Sequence, residues 1–414
     1  MLFLMLGSIA SLVPLAYVYL SGVGNGPYIE ARHQPQTHSE YYQLTSSLSF
    51  ADYITRARQQ ITATHPQAQL RFHADSPLTV LDYIAPIAWQ SEDFYRCDEK
   101  DKRGVLLIHG LSDSPFLLRD IAMHLQQQSC VLVRSLLLPG HGTIPGDLLA
   151  VDFDHWRATV SYGVEQMPVA HLYVAGYSTG AALALDYYLN NPNQKVRGFI
   201  LLSPALGINN KLIGLVDIIG PLNGLFPQLK WWKLRDDVDV FKYESFPVNA
   251  AKQVSDLIQR VQQKAAVQTL NVPMLMVLSE DDSTVDPKAA VDFFDQYAMQ
   301  GSQLILYQRG GPGKCFENDR YCFRRSSVPE KNVISFSHVA IPIAPQNFYY
   351  GEQAEYFNCS HHQQYSQEKA RCQYQKVGDV PYSETNYQEG IVTRRMTYNP
   401  DFDFMMNKLV QFLQ

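Results

Sequence analysis

A serine stands between two glycines where an apolar run passes into a helix-favouring one. The stretch reads Gly176-Tyr177-Ser178-Thr179-Gly180, with Leu-Tyr-Val-Ala before it and alanine-rich sequence after it. In a sharp strand-to-helix turn, such a serine is lifted above the sheet at the positive end of the helix. The pattern predicts a nucleophile at Ser178, and an ordinary strand-to-helix turn is the alternative.

A serine hydroxyl attacks readily only beside a base, and the base needs an acid to orient it. Apolar residues Val272–Leu278 run into a turn that carries Asp281 and Asp282. We select Asp282 as the acid, because the spacing D-x-x-V places its carboxylate in the turn, and keep Asp281 as the second choice. His338 follows the strand-like stretch 332–336 and is predicted to be the base.

Acyl transfer also needs two backbone N–H groups that stabilise the oxyanion of the tetrahedral intermediate. One is predicted at Thr179, directly after the nucleophile. The other is predicted at Leu111, in the segment His-Gly-Leu-Ser-Asp-Ser-Pro at residues 109–115, here called the His-Gly loop. Gly110 lets this backbone approach closely, and Gly110 and Tyr177 are predicted to contact bound substrate.

The elements that must position these residues alternate between short apolar runs and helix-like stretches. The apolar runs are "GVLLIHG", "CVLVRSLLLPGHG", "HLYVAGYSTG", "VRGFILLSPA", "VPMLMVLSEDD" and "QLILYQRG", and "TVLDYIAPIAW" also resembles a strand. Helices are predicted at "ADYITRARQQITAT", 117–128 and 181–191. This alternation indicates an α/β fold with a mostly parallel sheet and helices on both faces. The candidate residues follow the carboxyl ends of strands, where ligands bind in such sheets.

Two segments interrupt the alternation. Residues 206–270, apolar with Gly and Pro interruptions and then amphipathic, are predicted to form an inserted helical cap. Residues 339–398 are rich in Tyr, Gln and Cys and are here called the Cys/Tyr-rich insertion. The remaining ranges are an apolar segment at 1–23, an N-terminal extension at 24–75, the two parts of the core at 76–205 and 271–338, and a final core helix at 399–414.

The first 23 residues carry no charged side chain, and the first charge in the chain is Glu30. About 20 apolar residues are enough to cross a bilayer. The segment is therefore predicted to be a membrane anchor, with a cleaved export signal as the alternative. Either interpretation places the protein in the cell envelope, on the extracytoplasmic side.

The cysteines are consistent with that location. Cys315, Cys322, Cys359 and Cys372 lie in polar, loop-like sequence and are predicted to form disulfides. Pairing 315 with 322 and 359 with 372 is simplest, and crossed pairings stay open. A zinc site that includes His361 and His362 is the alternative. Of the other two cysteines, Cys97 lies in loop-like sequence, and Cys130, which leads an apolar run, is interpreted as a core residue.

Four stretches together resemble the α/β-hydrolase superfamily, in its monoacylglycerol-lipase and serine-aminopeptidase-like branch, which also holds small bacterial carboxylesterases. They are "LLIHGLSDSPFLLRDIAMHL", "LPGHGTIPGDLLAVDFDHW", "VAGYSTGAALAL" and "MLMVLSEDDSTVDP". The resemblance covers roughly residues 100–340 and the last helix. It implies a triad of Ser178, His338 and Asp282, an acyl-enzyme intermediate, and neither metal nor other cofactor. The Cys/Tyr-rich insertion departs from the pattern, because the family usually continues to its final helix soon after the histidine.

The leading hypothesis is a serine hydrolase of carboxylic esters, either a carboxylesterase or a monoacylglycerol-type lipase. Its partner is then a small ester or a lipid, with membrane contact through residues 1–23. A net charge of −6 and basic runs no longer than two residues argue against nucleic acid. Two alternatives stay open: a non-catalytic envelope binding protein, and a serine exopeptidase or amidase. The latter needs carboxylates near the site, for which the cap offers Asp236, Asp237, Asp239 and Glu244.

Overall fold

The structure is a computed structural model, and it describes most of the chain. The described residues are 29–37, 43–72, 76–192, 195–207, 230–311, 313, 315, 319–354, 356, 359, 370–372, 381–383 and 392–414. The predicted anchor at 1–23, the predicted cap residues 208–229, and His361 and His362 lie outside them. No helix within the described ranges combines the length and apolarity that a bilayer crossing requires.

The centre of the fold is a β-sheet. The strands are β1 (Ala88–Gln90), β2 (Arg103–Ile108), β3 (Val131–Leu136), β4 (His171–Tyr177), β5 (Val196–Leu202), β6 (Trp231–Lys233), β7 (Phe246–Pro247), β8 (Met274–Ser279), β9 (Gln303–Gln308) and β10 (Tyr321–Arg325). Eight of them form the central sheet in the order β1-β3-β2-β4-β5-β8-β9-β10. Only β1 pairs antiparallel in this sheet, so the predicted mostly parallel sheet is confirmed. The other two strands, β6 and β7, pair as a separate antiparallel ribbon.

Helices cover both faces of this sheet. Alternate residues of β2 belong to different cores, with Leu106 and Ile108 in one and Val105 and Leu107 in the other. This separation follows from the period of two residues along a strand. The α-helices are α1 (Phe50–Thr64), α2 (Val80–Ile84), α3 (Arg119–Leu125), α4 (Phe153–Glu165), α5 (Thr179–Asn190), α6 (Val248–Ala265), α7 (Pro287–Tyr297) and α8 (Phe402–Phe412).

The sequence predicts a strand at "TVLDYIAPIAW", but the structure has a short helix, α2, followed by β1. Thr79 and Asp82 explain the difference. The Thr79 hydroxyl accepts a hydrogen bond from the Asp82 N–H at 3.3 Å, and the Asp82 carboxylate accepts one from the Thr79 N–H at 2.8 Å. This reciprocal cap starts α2 despite the strand-favouring composition.

The predicted strand at 332–336 is also wrong. Val333 forms only isolated bridges, with Val328 and with Tyr382. The sheet instead ends at β10, which has a polar sequence because most of its side chains are only partly buried at the edge. Its one fully buried side chain is that of Cys322. Because so little of this edge strand is buried, hydrophobic periodicity does not predict it.

The second half of the predicted cap segment belongs to the core. Helix α6 is amphipathic, as expected, and buries Val254, Leu257 and Val261 in the same core as helix α5. It packs against α5 and so extends the helical layer on one face of the sheet.

All six cysteines are paired in disulfides. The pairs Cys315–Cys322 and Cys359–Cys372 are confirmed. The interpretation of Cys130 as a plain core residue is wrong, because its sulfur is bonded to that of Cys97. The zinc alternative is also wrong, since the sulfur of Cys359 is already bonded to Cys372.

Candidate active site

Ser178 occupies the turn between β4 and α5. Its backbone has φ 54° and ψ −117°, a conformation that costs energy for any residue other than glycine. A Cβ on Gly176 would lie 2.3 Å from the Gly180 carbonyl oxygen, and one on Gly180 would lie 2.1 Å from that of Ile108. Both glycines are therefore required for the close packing of this turn.

His338 and Asp282 form a buried pair. The Nδ1 of His338 lies 2.5 Å from Oδ2 of Asp282. The other carboxylate oxygen accepts hydrogen bonds from the N–H groups of Thr284 (2.8 Å) and Val285 (3.0 Å), which fix its orientation. Asp281, the second choice from the sequence, instead makes a bidentate ion pair with the Arg309 guanidinium.

Tyr177 links the serine turn to His338. Its hydroxyl donates to the His338 carbonyl oxygen at 3.3 Å, and the two ring centroids lie 5.1 Å apart. The Ser203 hydroxyl donates to the same carbonyl at 3.4 Å. These contacts hold His338 against the residue that precedes Ser178. They also direct the Tyr177 side chain into the interior, where it is 1% exposed, and its contact with substrate stays a prediction.

The His-Gly loop packs directly on the serine. A Cβ on Gly110 would lie 3.1 Å from the Ser178 Cβ. The Ser112 N–H is occupied, because it donates to Nε2 of His141 at 3.1 Å. Among the described residues, no acceptor meets the N–H of Leu111 or that of Thr179. The two amides predicted from the sequence are thus free beside Ser178.

Two neutral histidines, His109 and His141, support this loop. Their position in the sequence before Ser178 is compatible with such a role but does not establish it. His109 accepts from the Leu138 N–H at 3.0 Å through Nε2, and its Nδ1 lies 2.7 Å from the Gly110 carbonyl oxygen. Burial lowers the pKa of His141 to about 4 and that of His109 well below its usual value. Because both rings stay neutral, each keeps one nitrogen free to accept a backbone N–H.

Comparison with known proteins is consistent with this geometry. The family model described as serine aminopeptidase, S33, matches residues 99–311, just over half of the chain. The chain belongs to this family. A curated relative, the thermostable monoacylglycerol lipase of Bacillus sp. (strain H-257), is 27% identical over 225 residues, which cover 53% of this chain and 86% of the relative. The protein is an α/β-hydrolase of the monoacylglycerol-lipase and serine-aminopeptidase-like branch.

Solved structures match just over half of this S33 family member. A metagenome-derived lipolytic enzyme is 18% identical, with 55% of this chain and 88% of the other covered, at a TM-score of 0.44. A soluble variant of monoglyceride lipase from Saccharomyces cerevisiae is also 18% identical, with 54% and 82% covered, at 0.43. At these TM-scores, we draw nothing further from the structural likeness.

The S33 match ends before His338. Inside the matched range, one segment makes contacts with the His-Gly loop that the sequence did not indicate. Residues 237–245, here called the cap tail, cross the His-Gly loop. The Ser114 hydroxyl donates to the Phe241 carbonyl oxygen at 2.7 Å, and the Tyr243 N–H donates to the Ser112 carbonyl oxygen at 2.8 Å. The cap tail therefore holds the His-Gly loop through the backbone groups of the cap tail. Because almost any residue offers such groups, the sequence does not predict these contacts.

The Cys/Tyr-rich insertion in turn packs on the cap tail. The Tyr350 hydroxyl donates to the Asp239 carboxylate at 2.5 Å, and the Tyr349 ring lies 4.7 Å from that of Phe241. Burial raises the pKa of Asp239. The Cys/Tyr-rich insertion, which departs from the family pattern, thus packs on the cap tail and supports the His-Gly loop indirectly.

One cluster of potential metal ligands comes together among the described residues of this family member, and it comprises Asp93, Cys97 and Cys130. The disulfide between the two cysteines takes both of their sulfurs.

Proposed function

We propose that the protein is a serine hydrolase that cleaves carboxylic esters through an acyl-enzyme intermediate. Ser178 is the nucleophile, His338 the general base, and Asp282 the carboxylate that orients the imidazole. The N–H groups of Leu111 and Thr179 form the oxyanion hole. The observation that carries the proposal is the buried 2.5 Å contact between His338 and Asp282, found together with the strained turn at Ser178.

In this mechanism, Asp282 keeps the proton of His338 on Nδ1, so that Nε2 accepts the proton of the Ser178 hydroxyl. The serine oxygen attacks the ester carbonyl carbon, and the two free N–H groups stabilise the resulting oxyanion. The protonated imidazole then gives its proton to the departing alkoxide. Water repeats the sequence, with His338 as its base, and releases the carboxylic acid and Ser178.

The serine assignment is tested by a fluorophosphonate probe and by hydrolysis of p-nitrophenyl butanoate. We expect the probe to label Ser178 in the wild type and to fail on Ser178→Ala and His338→Ala. Equal ester hydrolysis by wild type and Ser178→Ala would refute the proposal. No hydrolysis by the wild type for any acyl length would favour the non-catalytic binding protein.

The aminopeptidase alternative is less well supported, although the family description includes it. Such an enzyme needs a carboxylate free to bind the substrate's amino group. Three of the four cap carboxylates considered for this role already accept hydrogen bonds. Asp237 accepts from the N–H groups of Glu244 and Ser245, Asp239 from the Tyr350 hydroxyl, and Glu244 from the Val238 N–H. Hydrolysis of amino-acid p-nitroanilides faster than of p-nitrophenyl butanoate would reverse this order.

We also propose that the protein works on the extracytoplasmic side of the cell envelope. Three disulfides support this, because such bonds persist in oxidising compartments. Cell fractionation followed by reducing and non-reducing gels tests it. Recovery of the native protein in the cytosol with six titratable thiols would refute the proposal.

A further inference from the structure

The turn that follows strand β5 holds the backbone of the candidate nucleophile. This turn comprises residues 202–205 and is here called the β5 turn. The Ser178 N–H donates to the Leu202 carbonyl oxygen at 2.9 Å, and the Ser178 carbonyl oxygen accepts from the Ala205 N–H at 3.1 Å. Both backbone polar groups of Ser178 are therefore bonded to the β5 turn, which fixes the place of the strained serine.

The β5 turn also contacts the segment that carries the candidate base. The Ser203 hydroxyl donates to the His338 carbonyl oxygen at 3.4 Å. The Ser203 N–H donates to the Val277 carbonyl oxygen at 2.8 Å, in the strand β8 that leads to Asp282. The β5 turn thus lies between the three elements that provide the serine, the imidazole and the carboxylate.

The segment of His338 depends on such contacts, because residues 334–338 form neither a helix nor a strand. A strand is held by a ladder of backbone hydrogen bonds, whereas this segment is held in part by side-chain hydroxyl groups. The Ser279 hydroxyl donates to the Phe336 carbonyl oxygen at 2.9 Å, and the Tyr177 hydroxyl donates to that of His338 at 3.3 Å. The place of the imidazole therefore depends on side chains at the carboxyl ends of β4, β5 and β8.

The backbone of Ser203 carries a cost that a glycine would avoid. Its φ is 42°, in the left-handed region, and the residue is 0% exposed. Glycine reaches this region without strain, whereas a serine there costs free energy. Local backbone geometry alone thus favours glycine at this position, and what the serine adds is the hydroxyl group that bonds to His338.

We propose that Ser203 is a positioning residue, which holds the His338 backbone at the distance from Ser178 that proton transfer requires. Asp282 restrains the imidazole at Nδ1, and Ser203 restrains the same residue at its carbonyl oxygen. Two restraints on different parts of His338 limit the movement of Nε2, which must reach the Ser178 hydroxyl. The inference rests on the proposed function and goes beyond it by assigning a role to a residue outside the triad.

The test compares the wild type with two variants at position 203 on p-nitrophenyl butanoate. Ser203→Gly removes the hydroxyl together with the backbone strain. We expect its kcat to fall about tenfold, with KM within about twofold of the wild-type value, because a base displaced by a fraction of an ångström transfers the proton less well. Its urea midpoint should be no lower than that of Ser203→Ala, which keeps the strain and should lose kcat to a similar extent. The rate of fluorophosphonate labelling of Ser178 should fall in parallel, since labelling needs the same base.

Ser302→Ala is the matched control. Ser302 is also buried, at 4% exposure, and its hydroxyl accepts from the Met274 N–H at 3.0 Å. Met274 begins β8, so this hydrogen bond lies at the amino end of the strand, whereas the candidate site lies at the carboxyl ends. Ser302→Ala should lower the urea midpoint and leave kcat unchanged.

Several results would overturn the inference. They are a wild-type kcat in Ser203→Gly, a rise in KM at unchanged kcat, or a loss of kcat in Ser302→Ala equal to that in Ser203→Gly. If the glycine variant does not fold, Ser203→Ala decides by the same criteria. Wild-type inactivity both on the ester and toward the fluorophosphonate would instead refute the proposed function.

Discussion

The ring of Phe241 stacks on the ring of Phe116, with centroids 3.8 Å apart and planes 16° apart. Phe116 directly follows the His-Gly loop, and Phe241 belongs to the cap tail. Both rings are buried, at 1% and 2% exposure. The stack joins two parts of the chain that the sequence separates widely, and it does so at the end of the His-Gly loop.

Truncation of this stack should therefore affect both stability and catalysis. Phe241→Ala is expected to lower the free energy of unfolding by about 3–5 kcal/mol, because it leaves a cavity under the loop. The kcat for p-nitrophenyl butanoate should fall with less change in KM. Urea denaturation and steady-state kinetics measure the two effects. Tyr95→Ala, at an aromatic residue 79% exposed, is the control, and an equal loss there would contradict the prediction.

Adjacent aspartates give a sharp test of the candidate acid. Asp282→Asn should reduce kcat roughly 10³–10⁴-fold, because the amide no longer holds the correct imidazole tautomer. Asp281→Asn should keep kcat near that of the wild type, because Asp281 pairs with Arg309 and not with His338. Steady-state rates on one ester, with thermal melts to check folding, decide the matter. Similar losses in both variants would reject Asp282 as the orienting acid.

Asp113 should make stability depend on pH. Its pKa is raised from 3.8 to about 7, so the folded state holds a proton that the unfolded state releases between these values. Stability therefore falls as the pH rises from about 4 to about 7. Asp113→Asn should be more stable than the wild type by about 2–4 kcal/mol at pH 8, with the difference vanishing below pH 4. Urea denaturation at both pH values measures it, and a less stable variant at pH 8 would be contrary evidence.

The disulfides should differ in their contributions. Cys97 and Cys130 are 33 positions apart, whereas Cys315 and Cys322 are 7 apart. In the chain-entropy account, the longer loop gives more stabilisation, about 3–4 kcal/mol against about 2 kcal/mol. Paired serine variants at each bridge, compared by urea denaturation, test the order. A larger loss at the shorter bridge would be inconsistent with it.

The residues of the candidate site were predictable where local backbone geometry demands particular residue types. The glycines around Ser178 are needed by a turn too tight for a side chain, and Asp282 lies in a turn that directly follows a buried strand. Such demands are visible within a few positions of the sequence. The same holds for the six apolar strands at the centre of the sheet.

The supports of the site were not predictable, since they depend on contacts between distant segments. Backbone groups of the cap tail make the bonds to the His-Gly loop, and any residue other than proline offers them. Edge strand β10 shows little periodicity because it packs only partly against the core. The burial of Asp113 appears only after the segments that pack around it have been located.

The hydrogen bonds from the cap tail to Ser112 and Ser114 have a thermodynamic consequence. A ligand that displaces the cap tail also disturbs the loop that carries the Leu111 amide. The ligand therefore changes the affinity for an inhibitor that mimics the oxyanion. By reciprocity of linkage, the inhibitor must change the affinity for the ligand by the same factor. Binding of a ligand at the cap tail and binding of an oxyanion at the Leu111 amide are therefore coupled.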